Sequence, residues 1–394
     1  MRRSLAICSL VAATSFGCGP GEEIEFAAVL PLTGQYEVYG IEIRKGLELA
    51  LEELQNDTSY PYQLTLDILD SEGDPGQAAE LAAQAYSAGA MAIIGGVTTD
   101  EALAMVPVAD RNDRILVSPS ASSPELTGIS KNFYRVFPND QREGTTMGNF
   151  AAVKLEIENV VILAKEDAYA RGIQEVFKTE FERNGGQVPD VIQYPPGAAD
   201  FSGLIDRVLT LDPAAVYVAA YAQDVGAMIS ELRRRGYVGT ILTTSAFASP
   251  AVIEQVGEPA EGVFLTQAVF EADSDDEHIA AFVSAFRSKF SLSPDLYAAH
   301  GYDALKVLAK ALEELERPIA SDMWKGMRKI KDFPGVTGTI QFDERGDAQK
   351  FPRVYVIESG SLVDYEREVE ERRKELLDRL RRLEERKKRA AGGG

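Results

Sequence analysis

Two short stretches of the chain carry more hydroxyl groups than local structure alone calls for. Val97-Thr98-Thr99-Asp100-Glu101 follows the apolar run AIIGG, and Ser118 to Ser123, with Pro124-Glu125 behind it, follows ILV. Each sits where a strand-like run gives way to a helix start. A helix N-terminus presents free N–H groups and the positive end of a dipole, so hydroxyls gathered there suit an anion such as a carboxylate. The same residues also fit caps. Thr98 with Glu101, and Ser122 with Glu125, match capping boxes, and Pro124 matches the first helical turn. Both readings, an anion-binding cleft and caps alone, stay open at this level.

Other chemistry is sparse. His278 and His300 lie in helix-period segments without a plausible partner. No G-x-S-x-G elbow occurs, nor any phosphate loop ending in Gly-Lys-Ser/Thr. Asp70, Glu72 and Asp74 alternate as in a calcium loop, but Leu81 stands where the bidentate Glu would be, so these acids read as strand-end and cap residues. The expectation is a binding protein, with no catalytic residue, metal or cofactor.

These loops need elements to hold them. From Ile24 onward short apolar runs alternate with helix-period stretches. EFAAVLPL precedes Tyr39–Leu54, LTLDILD precedes Pro75–Ala88, and AIIGG precedes Asp100–Arg111. The rhythm restarts with NVVILAK, VIQY, AVYVAA, TILTT and VFLTQ. Such alternation predicts an α/β fold of parallel sheets covered by helices on both faces. A chain of 394 residues exceeds one compact core, so two doubly wound lobes are expected. The first is assigned to residues 24–139 with 268–338, the second to 140–267 with 339–365. Three crossings are placed within 132–144, around Gln267–Glu271 and around Gly335–Phe342.

The ends read differently. Arg2 and Arg3 precede the apolar stretch Leu5 to Ala13, which predicts an export signal over residues 1–17. Gly17-Cys18 resembles the end of a bacterial lipobox, although Ser15 and Phe16 depart from its usual residues. Cys18 is therefore the expected lipidation site, with residues 18–23 as tether, against an ordinary signal peptide with a chance cysteine. With Cys8 lost to the signal, Cys18 alone remains, which excludes an intrachain disulfide or a thiolate zinc site. Residues 366–394 hold eleven Lys and Arg against eight Asp and Glu, a charged helical tail on a chain of net charge −21. Val369, Leu376 and Leu383 repeat every seven residues, but Arg372 and Arg373 interrupt the seam. A solvated helix and a helix making a protein contact are both compatible with it. The acidic balance argues against nucleic acid.

Taken in order, PLTGQYEVYG, RKGLELALEEL, DSEGDPGQAAELA, AIIGG, ALAMVPVAD, SPSASSPELTG, FYRVFPNDQREG, AAHGYDALKVLAKAL and GVTGTIQFDERGD resemble the leucine/isoleucine/valine-type substrate-binding proteins of ABC importers. The resemblance covers about residues 24 to 365. It implies the type I periplasmic-binding-protein fold, with two Rossmann-like lobes that close on a small ligand and dock on ABC permease subunits. It implies that Thr99 and Ser122, next to Thr98, hold a ligand carboxylate, and that a carbonyl of Ser120 or Ala121 accepts from an ammonium. Tyr39, Tyr169 and Tyr221 would line the pocket. In the family an acid follows the strand equivalent to TILTT, and here Ser245 stands there. Asp167, Asp224 or Glu37 are the candidate substitutes, and the ligand extends from a branched-chain amino acid to a related carboxylate or amide. The expected place is the periplasm or cell surface, anchored by lipid. The alternative is an envelope sensor or activator on the same fold.

Overall fold

A computed structural model describes residues 22–391, with side chains to residue 383. The export signal and Cys18 lie outside the described residues. Five strands form a wholly parallel sheet in the order β2-β1-β3-β4-β5. They are β1 (Glu22–Leu30), β2 (Tyr62–Asp70), β3 (Ala92–Gly95), β4 (Ile115–Ser118) and β5 (Phe133–Arg135). β3 and β4 are buried along their whole length, as strands covered on both faces must be. Helices α1 (Glu37–Asn56), α2 (Pro75–Ala88) and α3 (Thr99–Asn112) follow the first three strands.

The second sheet has seven strands, ordered β14-β13-β10-β9-β8-β6-β7. Its parallel members are β6 (Asn159–Lys165), β7 (Gln187–Tyr194), β8 (Ala215–Ala219), β9 (Thr240–Thr243) and β10 (Phe264–Gln267). Helices α4 (Asp140–Asn149), α5 (Ala168–Arg183), α6 (Ser202–Leu211), α7 (Ala222–Arg234) and α8 (Pro250–Val256) surround it. The chain then returns to the first lobe through α9 (Glu277–Phe290), α10 (Leu296–Glu313) and α11 (Met323–Met327). There α10 packs along α1, and at Gly46 the backbones touch so closely that a Cβ would meet the Ala298 carbonyl.

The last return departs from expectation. After the small hairpin of β11 (Phe333–Gly335) and β12 (Gly338–Ile340), the chain stays on the first lobe, where Asp347 bridges Arg135 beside β5. It enters the second sheet only at β13 (Arg353–Glu358), antiparallel to β10, and ends it with β14 (Ser361–Asp364). The third crossing therefore falls after Ala348, not at Gly335–Phe342. The reason is a buried ion pair invisible to hydrophobic periodicity. Arg135 Nε meets Asp347 Oδ1 at 2.7 Å, with both side chains almost wholly buried. α12 (Tyr365–Ala391) closes the chain, seated by Tyr365 against Phe150 and Phe264 and by Arg372 on Glu358.

Removing one partner of a buried ion pair strands the other charge, at a cost of about 3–5 kcal/mol. Arg135→Ala is expected to lose that much in denaturant unfolding. Arg135→Met with Asp347→Leu is expected to lose clearly less.

Candidate functional site

The carboxyl ends of strands from both lobes face one another, and the loops leaving them enclose a narrow cavity. Its walls are Tyr39, Val97, Thr99, Ser120, Ala121, Ser122, Phe137, Tyr169, Tyr221, Ser245, Ala246 and Tyr297. Ligands of open α/β sheets collect at this place, outside the carboxyl ends where strand order reverses. In the first sheet that point is β1 and β3, and in the second it is β6 and β8.

Eight of the nine residues singled out from the sequence meet here: Tyr39, Thr99, Ser120, Ala121, Ser122, Tyr169, Tyr221 and Ser245. Thr98 stands apart. Its hydroxyl accepts from Glu101 N–H while Glu101 accepts from Thr98 N–H, a complete capping box on α3. The expected box of Ser122 with Glu125 does not form. Pro124–Leu126 is a single 3-10 turn, and Ser123 is its cap. Three residues bury too little backbone to need a box, so Ser122 is left facing the cavity.

Each hydroxyl has its own assignment. Ser120 donates to the Val97 carbonyl at 2.7 Å, stitching the two hydroxyl loops together. Ser118 donates to Gly96 O at 2.8 Å and accepts from Ala121 N–H at 2.9 Å. The serine loop is fixed from behind by Arg135, which donates to Ser123 O at 2.8 Å and, at 3.4 Å, to Ala121 O. Thr99 N–H donates to the Tyr221 hydroxyl across the cleft at 3.3 Å, while Thr99 Oγ1 is buried with no partner.

Tyrosines bridge the lobes. Tyr39 donates to Ala246 O and accepts from Ala222 N–H, both at 2.8 Å, so it offers a ligand only its ring. Tyr36 accepts from Lys165, whose other partner is Asp224 at 3.2 Å. Tyr297 donates to Ser245 O at 2.9 Å. Rings of Tyr39, Phe137, Tyr169, Tyr221 and Tyr297 lie within contact of one another and form the apolar wall. At Gly172 a Cβ would come within 2.9 Å of Ser123 Oγ, so the backbone of α5 lies directly against the Ser123 and Pro124 side chains.

None of the substitute acids reaches the cavity wall. Asp167 caps α5 through Ala170 N–H, Asp224 is held by Lys165 and Tyr194, and Glu37 opens α1. Two other carboxyls, on α4, lie close by instead. Glu143 accepts from Ser245 N–H at 2.6 Å, from Ser245 Oγ at 2.9 Å and from Thr266 Oγ1 at 2.9 Å. Asp140, one turn earlier, is fully buried, and neither of its oxygens has a well-formed partner. Burial and the neighbouring Glu143 hold the Asp140 carboxyl well above the usual range, against the opposing pull of Ser122 and Arg135. Phe137, Tyr297 and this acid pair escaped sequence reasoning, because nothing local separates them from ordinary surface acids and core rings. The one available signal was Gly144 and Gly148, where a Cβ would strike α5, which marks α4 as tightly packed rather than solvated.

The chain matches the family described as periplasmic binding protein over residues 23–361. It is 24% identical over 363 residues to the Leu/Ile/Val-binding protein BraC3 of Rhizobium johnstonii, covering 90% of this chain and 97% of that one. Among solved structures it superposes on the leucine-binding protein LivK of Thermotoga maritima with a TM-score of 0.82 and 30% identity. That match covers 86% of this chain and 97% of the other. The isoleucine complex of the substrate-binding protein LivJ from Streptococcus pneumoniae shares the fold, at 23% identity and TM-score 0.81, over 86% and 98% of the two chains.

The buried acids set a pH dependence. Burial pushes Glu143 and Asp167 up to about 6 and Asp295 up to about 7, so the folded state binds these protons more tightly than the unfolded chain. Stability then rises as pH falls through that window; His300, which burial holds neutral, and Lys350, which burial lowers to about 8, oppose only in part. Moving from about pH 8 to about pH 6 should therefore raise the calorimetric Tm, by roughly 2–4 °C for each net kcal/mol.

Proposed function

The chain belongs to the periplasmic binding protein family, whose members are receptors and not enzymes, and on that premise we propose a lipid-anchored solute receptor of an ABC importer. It takes a small ligand with a carboxylate end, an amino acid or a near relative, between its lobes. One observation carries this reading: the cavity gathers loops from both sheets, and within it Thr99 Oγ1 is buried and unpartnered beside the start of α3. A carboxylate there takes the Thr99 and Ser122 hydroxyls and the favourable end of the helix dipole. The aromatic wall covers its apolar part. The names of the similar proteins, which speak of leucine, isoleucine and valine, support an amino acid as first candidate.

Anchoring at Cys18 rests on the signal-like residues before it, and no described helix is long and apolar enough to cross a membrane. Handing the ligand to permease subunits is the role that the family relation supports. Exposed Leu376, Leu380 and Leu383 on α12 favour an added protein contact through the tail, compatible with receptor and sensor alike.

A thermal-shift screen of the mature protein against amino acids, hydroxy acids, aromatic acids and amides is expected to yield at least one binder, because tight binding raises Tm by mass action. For that binder, Thr99→Ala with Ser122→Ala should weaken affinity at least roughly hundredfold, two hydrogen bonds to a charged group being worth about 1.5–3 kcal/mol each. Undiminished affinity in the double variant contradicts the site.

A further inference from the structure

The position where an acid was expected next to the cavity is filled in two parts. Ser245 lines the cavity, and the Glu143 carboxylate stands directly behind it, receiving both its N–H at 2.6 Å and its hydroxyl at 2.9 Å. A hydroxyl that gives its proton to a carboxylate keeps its lone pairs free and gains negative character. The Ser245 oxygen is therefore an acceptor backed by charge. Its loop is pinned on the other side by Tyr297 and by Tyr39 on Ala246, so the oxygen has little freedom to turn.

The charge behind it is uncompensated. No ion pair among the described residues includes Glu143 or Asp140, and Arg135, whose charge reaches Asp140, is committed to Asp347. The groups facing the pair are Asp140 and Glu143 themselves on α4, Arg135 from β5, Tyr169 from α5, Tyr217 from β8 and Tyr297 from α10. All these tyrosines are buried and neutral, and the Tyr217 hydroxyl has no partner. A buried carboxylate without a counter-ion is costly, and a cation entering the cavity offsets that cost while the carboxylate stays charged.

We propose that Glu143, acting through Ser245, selects a ligand bearing an ammonium group. The inference rests on the receptor reading and narrows its ligand to the cationic branch, a zwitterionic amino acid rather than a hydroxy acid, an aromatic acid or an amide. Glu143 is a positioning residue: it touches Ser245 and not the ligand. The ring faces of Tyr39, Tyr169, Tyr221 and Tyr297 add attraction for the same cation.

The test is calorimetric binding of matched pairs that differ only in the amine: L-leucine against L-2-hydroxy-4-methylpentanoate, and L-alanine against L-lactate. In the wild-type protein one amino acid should bind more tightly than its hydroxy acid. Glu143→Gln should reduce that preference at least roughly tenfold, mainly by loss of the amino acid. Ser245→Ala, a smaller change at the cavity wall, should move it in the same direction. A purely structural role for Glu143 would weaken both members equally, and an unchanged ratio overturns the inference while leaving the receptor intact. The wild type gives an independent readout. As pH falls below about 6, where Glu143 takes up its proton, amino-acid affinity should drop while hydroxy-acid affinity does not. Parallel pH profiles overturn the inference as well. Binding of neither pair by the wild type overturns it too, and if the broader screen is equally empty the receptor reading falls with it.

Discussion

One buried guanidinium organises this molecule. Arg135 ends β5 at zero exposure and spends its donors on Asp347, Thr127 and the carbonyls of the serine loop. Those partners tie the strand end that carries Arg135 to two other parts of the chain, the loop from Ser120 to Thr127 and the segment about to cross for the third time. A buried charge has to be paired and fully hydrogen-bonded, so the three segments have essentially one mutual arrangement that satisfies it. Asn139, the cap of α4, donates to the same Asp347 at 2.8 Å. The geometry of the hydroxyl loop and the path of two hinge segments thus share a single electrostatic solution.

Much of the fold was legible because it follows from periodicity. Pro75–Ala88 forms the helix its pattern marks, and the Thr98–Glu101 box is spelled out in four residues. The third crossing was not legible, since Asp347 looks like any polar loop residue until its partner, 212 positions away in sequence, is known. The same reasoning separates the parts of the site. Hydroxyls at strand ends announce themselves by spacing. Tyr297 enters the cavity because α10 is laid back along α1, a contact between distant segments, and Phe137 stacks against it. Asp140 and Glu143 lay in plain view within FPNDQREG, yet carboxylates on a short helix are solvated by default. Burial reversed that default, and it came from the glycine-mediated approach of α4 to α5.

The two lobes also differ in what they bring. The first supplies hydroxyls and a helix start, groups that favour negative charge. The second supplies Tyr169, Tyr221 and, behind Ser245, carboxyls that favour positive charge, while the other rings come from the first. Polarity across the cleft is therefore asymmetric and built from scaffold elements rather than from loop tips alone. Lys165 with Asp224 and Tyr36 sits beside this axis, a local pair that keeps its own charge neutralised and leaves the cavity's polarity intact.

The Tyr39 hydroxyl carries a consequence for how the halves come together. It owns a single proton, donated to Ala246 O, and its lone pair takes the N–H of Ala222; these two partners leave the ends of neighbouring strands β9 and β8. An oxygen so placed can honour both contacts in one orientation only. A lobe rotated part of the way gains neither bond in full, and leaves a buried phenol partly unsatisfied. The two bonds therefore act together: they reward one relative angle of the lobes and leave intermediate angles unrewarded.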